Sequence, residues 1–262
     1  MMAILFALLV GLAVGSFLNV LIVRIPKGEN IAFPASHCPK CGNKLKWWHN
    51  IPLISWIMLQ GRCAYCESPI SRIYPVVELL TGLIFALLAM KLGVGAEWFT
   101  VALIFSLLLA LSVIDFEYYA VPDSLNFTAL GLALLLPLIV WGWDFITGNS
   151  NELSFYKDEL IRTFKDGAIM GASFFALGFL VKKVVKKDAL GEADIIIAAT
   201  MGALLGLPLA LIAIYIAAIL AIVPAFAAKD HMVPFVPFLA AGTWIAYLFG
   251  DTLMRWWSAL YA

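Results

Sequence analysis

The chain has 262 residues, of which 63% are hydrophobic and only 13% are charged, and its formal net charge is zero. Soluble domains carry about a quarter charged residues, so this composition excludes an ordinary soluble domain, and the absence of net charge argues against a nucleic-acid partner. With a mean hydropathy of +0.97, the sequence predicts an all-α, polytopic membrane helix bundle.

About eight apolar stretches recur between charged residues and predict membrane spans. They are residues 3–23, 74–92, 98–114, 124–143, 167–181, 195–208, 209–228 and 234–254. The first span has no Lys or Arg before its apolar stretch, so we expect a retained helix and not a cleaved signal peptide. The predicted organisation is a first membrane helix (1–23), a polar module (24–73) and a helix bundle (74–262).

Two Cys-x-x-Cys pairs, Cys38/Cys41 and Cys63/Cys66, lie in the polar module. Such pairs can place four thiolates tetrahedrally around one ion, typically Zn²⁺. The alternative is a disulfide framework, which needs an oxidising compartment. Four thiolates leave no open coordination position, so the zinc is expected to be structural.

The distribution of Lys and Arg predicts the orientation. With eight spans and an outside N-terminus, only five of the 17 basic residues fall outside: Lys91, Lys157, Arg162, Lys165 and Arg255. This asymmetry follows the positive-inside rule and places the cysteine module in the cytoplasm. Because that compartment is reducing, zinc is favoured over disulfides.

Two aspartates border the apolar stretches. Asp115 ends one stretch and Asp194 begins another, and the predicted orientation puts both at cytoplasmic helix ends. Two neighbouring carboxylates cannot both ionise easily, so one can act as an acid while the other activates water, as in an aspartic protease. The alternative is that each is a solvated helix cap, and the residues alone do not decide between the two.

The chain resembles the type IV prepilin peptidases, also called leader peptidase/N-methyltransferases, which are membrane aspartic proteases of the GxGD type. The resemblance covers most of the chain. It rests on GSFLNVLIVRIP (15–26), HCPKCGNKL (37–45), HNIPLISWIMLQGRCAYCESPISRIYPVVELLTG (49–82), IDFEYYAVPDSLN (114–126), GEAD (191–194) and VPFVPFLAAG (233–242).

The resemblance implies an enzyme of the bacterial inner membrane that removes the basic leader from prepilins or pseudopilins at the cytoplasmic face. Many members then methylate the new N-terminus with S-adenosylmethionine, for which no binding residues are assigned in this chain. By position, the catalytic pair is Asp115 and Asp194, and the zinc ligands are Cys38, Cys41 and the Cys63/Cys66 pair. The oligomeric state stays open.

The chain departs from the family pattern around the second aspartate. The second glycine of GxGD is Ala193, and isoleucines follow where a lysine is usual. Asp123 is a weaker candidate partner for Asp115 and is expected to cap the fourth span, while Glu78 is a polar residue inside the second span. Two other functions stay open, a proton-coupled transporter and a non-enzymatic assembly factor that docks partners through the zinc module.

Overall fold

The computed structural model describes residues 1–148, 153–186, 191–227 and 233–259. The described residues are helical apart from loops and two isolated bridges in the cysteine module. The α-helices are α1 (Met2–Arg24), α2 (Ile54–Met58), α3 (Ile73–Leu92), α4 (Ala96–Tyr118), α5 (Asp123–Thr147), α6 (Leu153–Val185), α7 (Glu192–Leu205), α8 (Leu207–Ala227) and α9 (Val236–Ala259).

Among the described residues, seven helices are long and apolar enough to cross a membrane: α1, α3, α4, α5, α6, α8 and α9. The predicted multi-pass helical fold, with the cysteines between the first two spans, is confirmed. Helix α7 coincides with the predicted sixth span but has 14 residues, or about 21 Å, which is shorter than a hydrocarbon core of about 30 Å. Gly206, at φ 73°, ends α7 just before α8 begins.

Helix α6 is longer than the predicted span 167–181. It has 33 residues and begins at Leu153, because the charged stretch before Gly167 is helical as well. Arg162 pairs with Glu159 one turn earlier on this helix, an i, i+3 arrangement that supports helical structure. A hydropathy pattern detects only the apolar part of such a helix.

The chain forms two compact units, Met1–Ala102 and Leu103–Ala262. In the first unit, α1 and α3 pack closely through small residues. A Cβ atom added at Gly15 would lie 2.7 Å from the Cα atom of Glu78, and one at Gly11 would lie 2.7 Å from Phe85 Cβ. Gly11 and Gly15 have GxxxG spacing, and the absence of side chains at both positions allows this close helix approach.

In the second unit, glycines bring α6 and α7 into contact. A Cβ atom at Gly171 would lie 3.3 Å from Ala199 Cβ, and one at Gly202 would lie 2.6 Å from Met170 Cγ. The two helices therefore touch along most of α7, whose inward face is buried from Ile197 onward. This packing fixes the start of α7, where Asp194 lies.

Candidate active site and metal centre

Asp115 lies in the last turn of α4 and is 8% exposed. Its Oδ2 atom accepts a hydrogen bond of 3.2 Å from the backbone N–H of Val236, the first residue of α9. The first N–H groups of a helix have no partner inside the helix, so a carboxylate there satisfies one of them. Asp115 therefore joins the end of α4 to the start of α9.

Asp194 is the third residue of α7 and is also 8% exposed. Its Oδ2 atom accepts a hydrogen bond of 3.1 Å from the backbone N–H of Gly191, which is the N-cap residue of the helix. The capping role considered from the sequence is therefore present, although Asp194 stands in the first helical turn and reaches back to the cap.

The fold brings these two aspartates together. The carboxyl groups of Asp115 and Asp194 interact electrostatically, although 79 residues separate them in the chain. Each carboxyl group lies at a helix N-terminus, which favours a negative charge there, whereas the electrostatic interaction between the two groups opposes two simultaneous negative charges. This arrangement suits a pair of carboxyl groups that share one proton.

Asn126 is a third member of this cluster that the sequence analysis did not single out. It lies in the first turn of α5, is fully buried, and its Nδ2 atom donates a hydrogen bond of 3.1 Å to the carbonyl oxygen of Ala193. Its Oδ1 atom has no hydrogen-bond partner among the described residues. A polar side chain in an apolar helix, at the end of the IDFEYYAVPDSLN segment, is the signal that could have identified it.

The exposed acidic residues differ from the buried pair. Asp123 is the first residue of α5, whose N-cap is Pro122, so Asp123 marks the turn as expected but does not occupy the cap position. Its side chain is exposed, as are those of Glu117 and Glu192. We refer to these three exposed carboxylates, Glu117, Asp123 and Glu192, as the acidic rim. The sequence also predicts Asp188 as a member of this rim, but Asp188 lies outside the described residues.

Ala193 causes no conformational conflict at the position where the family has glycine. It is the second residue of α7 and has a helical backbone, and its φ is not positive. Alanine is the best helix former, so this substitution suits the observed structure.

A buried aspartate elsewhere in the second unit was also missed. Asp166 on α6 is 5% exposed, and its Oδ2 atom accepts a hydrogen bond of 3.3 Å from the N–H of Leu207 at the start of α8. Arg162 and Lys165 lie 3.9 and 3.7 Å from its carboxylate oxygens. This carboxylate has cationic partners, whereas no ion pair of Asp115 or Asp194 occurs among the described residues.

The four cysteines converge in the first unit. The sulfur atoms of Cys38, Cys41, Cys63 and Cys66 all lie within 4.8 Å of one another, and Cys38 and Cys66 are 3.9 Å apart. A tetrahedral zinc site with Zn–S bonds of about 2.3 Å requires sulfur separations of about 3.8 Å. The four thiols therefore fit one tetrahedral metal ion, and none of them forms a disulfide.

The two cysteine pairs have the same local structure. The Cys38 carbonyl accepts a hydrogen bond of 2.8 Å from the N–H of Gly42, and the Cys63 carbonyl accepts one of 3.0 Å from that of Glu67. Gly42 and Glu67 both have positive φ, at 72° and 55°. Hydrogen bonds, the largest from the backbone N–H of Cys41, lower the pKa of the Cys38 thiol to about 6, whereas desolvation and the neighbouring thiols raise the pKa of the Cys41 thiol to about 11.

Comparison with known proteins gives two adjacent family matches. A model of the Bacterial Peptidase A24 N-terminal domain matches residues 9–92, and a model of the Type IV leader peptidase family matches residues 102–226. The second match begins close to the boundary between the two compact units. No solved structure matches the chain significantly.

Curated relatives are similar over almost the whole chain. The prepilin leader peptidase/N-methyltransferase of Xanthomonas campestris is 33% identical over 93% of this chain and 90% of the relative. The protein of the same name from Pseudomonas aeruginosa is 32% identical over 96% of this chain and 92% of the relative. That of Myxococcus xanthus is 39% identical over 76% of this chain, which covers 55% of the relative. The chain belongs to the type IV leader peptidase family.

Proposed function

We propose that the protein is a membrane aspartic endopeptidase that removes the basic leader of type IV prepilins or pseudopilins. The observation that supports this proposal is the electrostatic interaction between two buried carboxyl groups, Asp115 and Asp194, on separate helices of the second unit. The prepilin leader peptidase names of its relatives support the substrate class.

In the proposed mechanism, the two carboxyl groups hold one proton between them. The ionised carboxylate takes a proton from a water molecule, whose oxygen attacks the scissile carbonyl carbon, and the protonated carboxyl group supplies a proton to the leaving nitrogen. Hydrogen bonds from Val236 and Gly191 orient the two groups. No covalent enzyme intermediate is formed.

We place the reaction at the cytoplasmic face of the inner membrane. Helices α6 and α7 pack antiparallel, so the start of α7 lies at the same end of the pair as Lys182 and Lys183 in the last turn of α6. Basic residues at helix ends favour the cytoplasmic side. The acidic rim at this end would attract the basic leader electrostatically.

Two cofactors accompany the proposal. A Zn²⁺ ion held by Cys38, Cys41, Cys63 and Cys66 would stabilise the module without taking part in the chemistry. The relatives' names include N-methyltransferase activity, for which we propose S-adenosylmethionine as the methyl donor. The cleavage mechanism above does not involve it.

The test uses the purified full-length protein in lipid nanodiscs with a prepilin, and product masses are measured with and without S-adenosylmethionine. Asp115→Asn and Asp194→Asn should each abolish leader removal while the protein stays folded. Asp166→Asn is the matched control, because it changes a buried aspartate that also receives a helix N–H, and it should retain cleavage. A further mass increment of one methyl group in the presence of the donor tests the second activity.

Other results would contradict the assignment. Prepilin cleavage by both single aspartate variants would exclude the pair as the catalytic groups. Loss of cleavage in Asp123→Asn together with activity in Asp194→Asn would identify Asp123 as the partner of Asp115. Function that depends on the cysteines but on neither aspartate would favour an assembly factor.

A further inference from the structure

The cysteine module contains a long uncharged segment. Residues 47–61 include no Asp, Glu, Lys or Arg, and Lys46 and Arg62 flank them. This uncharged and largely apolar segment is too short to cross a bilayer, and such a length is typical of a buried, re-entrant or interfacial segment. Helix α2 lies in the middle of it.

Two contacts show how far this segment reaches along the first two spans. The backbone N–H of Leu53 donates a hydrogen bond of 2.8 Å to Glu78 Oε2, and the carbonyl oxygen of Asn50 lies 3.5 Å from Ser16 Oγ. Ser16 and Glu78 are at the same level of the helix pair, because Gly15 lies directly against Glu78.

That level is well inside both helices. Ser16 precedes Arg24, the last residue of α1, by about 12 Å along the helix axis, and Glu78 follows Ile73, the first residue of α3, by about 7.5 Å. The chain therefore leaves α1 at Arg24 and later returns alongside the helices, so that Asn50 and Leu53 lie at the depth of the membrane spans.

Irregular backbone at membrane depth requires partners for its polar groups. The Glu78 carboxylate accepts the hydrogen bond of the Leu53 backbone N–H. Leu53 has a positive φ of 61° and lies at the start of α2. The Ser16 hydroxyl interacts with Glu78 and lies 3.5 Å from the carbonyl oxygen of Asn50. Glu78 is itself only 8% exposed, so its burial inside the second span is accounted for by this attachment.

The side chains around this attachment are apolar and exposed. Ile54, Ile57 and Met58 of α2 are 55%, 67% and 77% exposed, and Trp47 is 75% exposed. Contiguous exposed apolar groups are unfavourable in water and typical of contact with membrane or protein. Depth and the absence of charge favour lipid, and tryptophan beside lysine is typical of the headgroup region.

We propose that residues 47–61 form a membrane-inserted loop, with Ile54, Ile57 and Met58 in contact with lipid acyl chains and Glu78 as its anchor within the span. The module would then be fastened to the bilayer between its two cysteine pairs. This inference is independent of the proposed peptidase activity.

The test places a photoreactive benzophenone amino acid at Ile57 or Met58 of the full-length protein in nanodiscs of phosphatidylethanolamine and phosphatidylglycerol. Leu83 on α3 is the reference for a lipid-facing position, and Lys40 beside the first cysteine pair is the reference for a position in water. After irradiation, mass spectrometry should find phospholipid adducts at 57 and 58 with a yield comparable to that at 83, and none at 40. Adducts at 83 but not at 57 or 58, or adducts only with a second copy or an added prepilin, would overturn the proposal.

A second comparison tests the anchor. Glu78→Gln keeps an acceptor for the N–H of Leu53, whereas Glu78→Ala removes it. Lipid adducts at position 57 should persist in the first variant and fall strongly in the second. Equal adduct yields in both variants would show that Glu78 does not hold the loop at this depth.

Discussion

The hydrogen bond between Asn126 and Ala193 leads to a prediction that separates catalysis from stability. Asn126→Leu removes a neutral hydrogen bond of 3.1 Å, which contributes about 1 kcal/mol to the free energy of unfolding. It also removes a buried Oδ1 atom without a partner among the described residues, whose burial costs about 1–3 kcal/mol. The two effects oppose each other, so we expect the free energy of unfolding to stay the same or to rise by up to about 2 kcal/mol.

The effect on cleavage should be much larger. Asp194 directly follows Ala193, so loosening the start of α7 from α5 displaces its carboxyl group relative to Asp115. A displacement of about 1 Å can reduce a rate about 100-fold. We therefore expect kcat for prepilin cleavage to fall about 10- to 100-fold with little change in KM. The pH limits of the rate profile should also move, because the separation of the carboxyl groups sets their coupled titration.

Steady-state cleavage in nanodiscs, followed by mass spectrometry over a range of pH, measures these quantities, and titration with denaturing detergent measures stability. Thr200→Val is the matched control. It removes a buried hydrogen bond of 2.9 Å within α7, from Thr200 Oγ1 to the Ile196 carbonyl, and should leave kcat and the pH profile unchanged. Native kcat and pH limits in Asn126→Leu, or an equal loss in Thr200→Val, would refute a positioning role.

Three further predictions concern packing and the cysteine module. Gly202→Leu should separate α6 from α7, lowering both thermal stability and cleavage, whereas Gly131→Ala, with open space around its Cβ position, should be tolerated in the same two assays. Cys41→Ser should lower the zinc content measured by mass spectrometry and loosen the module, seen as faster proteolysis between residues 24 and 73. At Glu67, where φ is 55°, glycine should be accepted but valine should speed zinc release to a chelator, because a β-branched residue opposes positive φ.

The sequence alone was sufficient to predict the features that depend on composition or on residues close together in the chain. Hydropathy predicted the helical membrane fold, and the Cys-x-x-Cys pairs predicted a cluster that the structure assembles within 4.8 Å. Features that depend on distant contacts were not predictable. The Asn126–Ala193 bond joins residues 67 apart, and the Asp115–Val236 bond joins residues 121 apart. Helix α7 was predicted at nearly the right place, as residues 195–208, but as a membrane span, whereas its 14 residues are too few to cross the hydrocarbon core.

Helix capping and catalysis looked like alternative roles for the aspartates in the sequence, but the structure makes them compatible. Four buried carboxylates, those of Asp115, Asp194, Asp166 and Glu78, each accept an N–H group at the start of a helix. Capping therefore does not separate a catalytic carboxylate from a structural one. The electrostatic partners of each carboxyl group make that distinction. The carboxylate of Asp166 lies 3.9 Å from the guanidinium of Arg162. The carboxyl groups of Asp115 and Asp194 interact with each other and form no ion pair among the described residues. Two carboxyl groups that interact electrostatically favour a state in which they share one proton, and general acid–base hydrolysis needs that state.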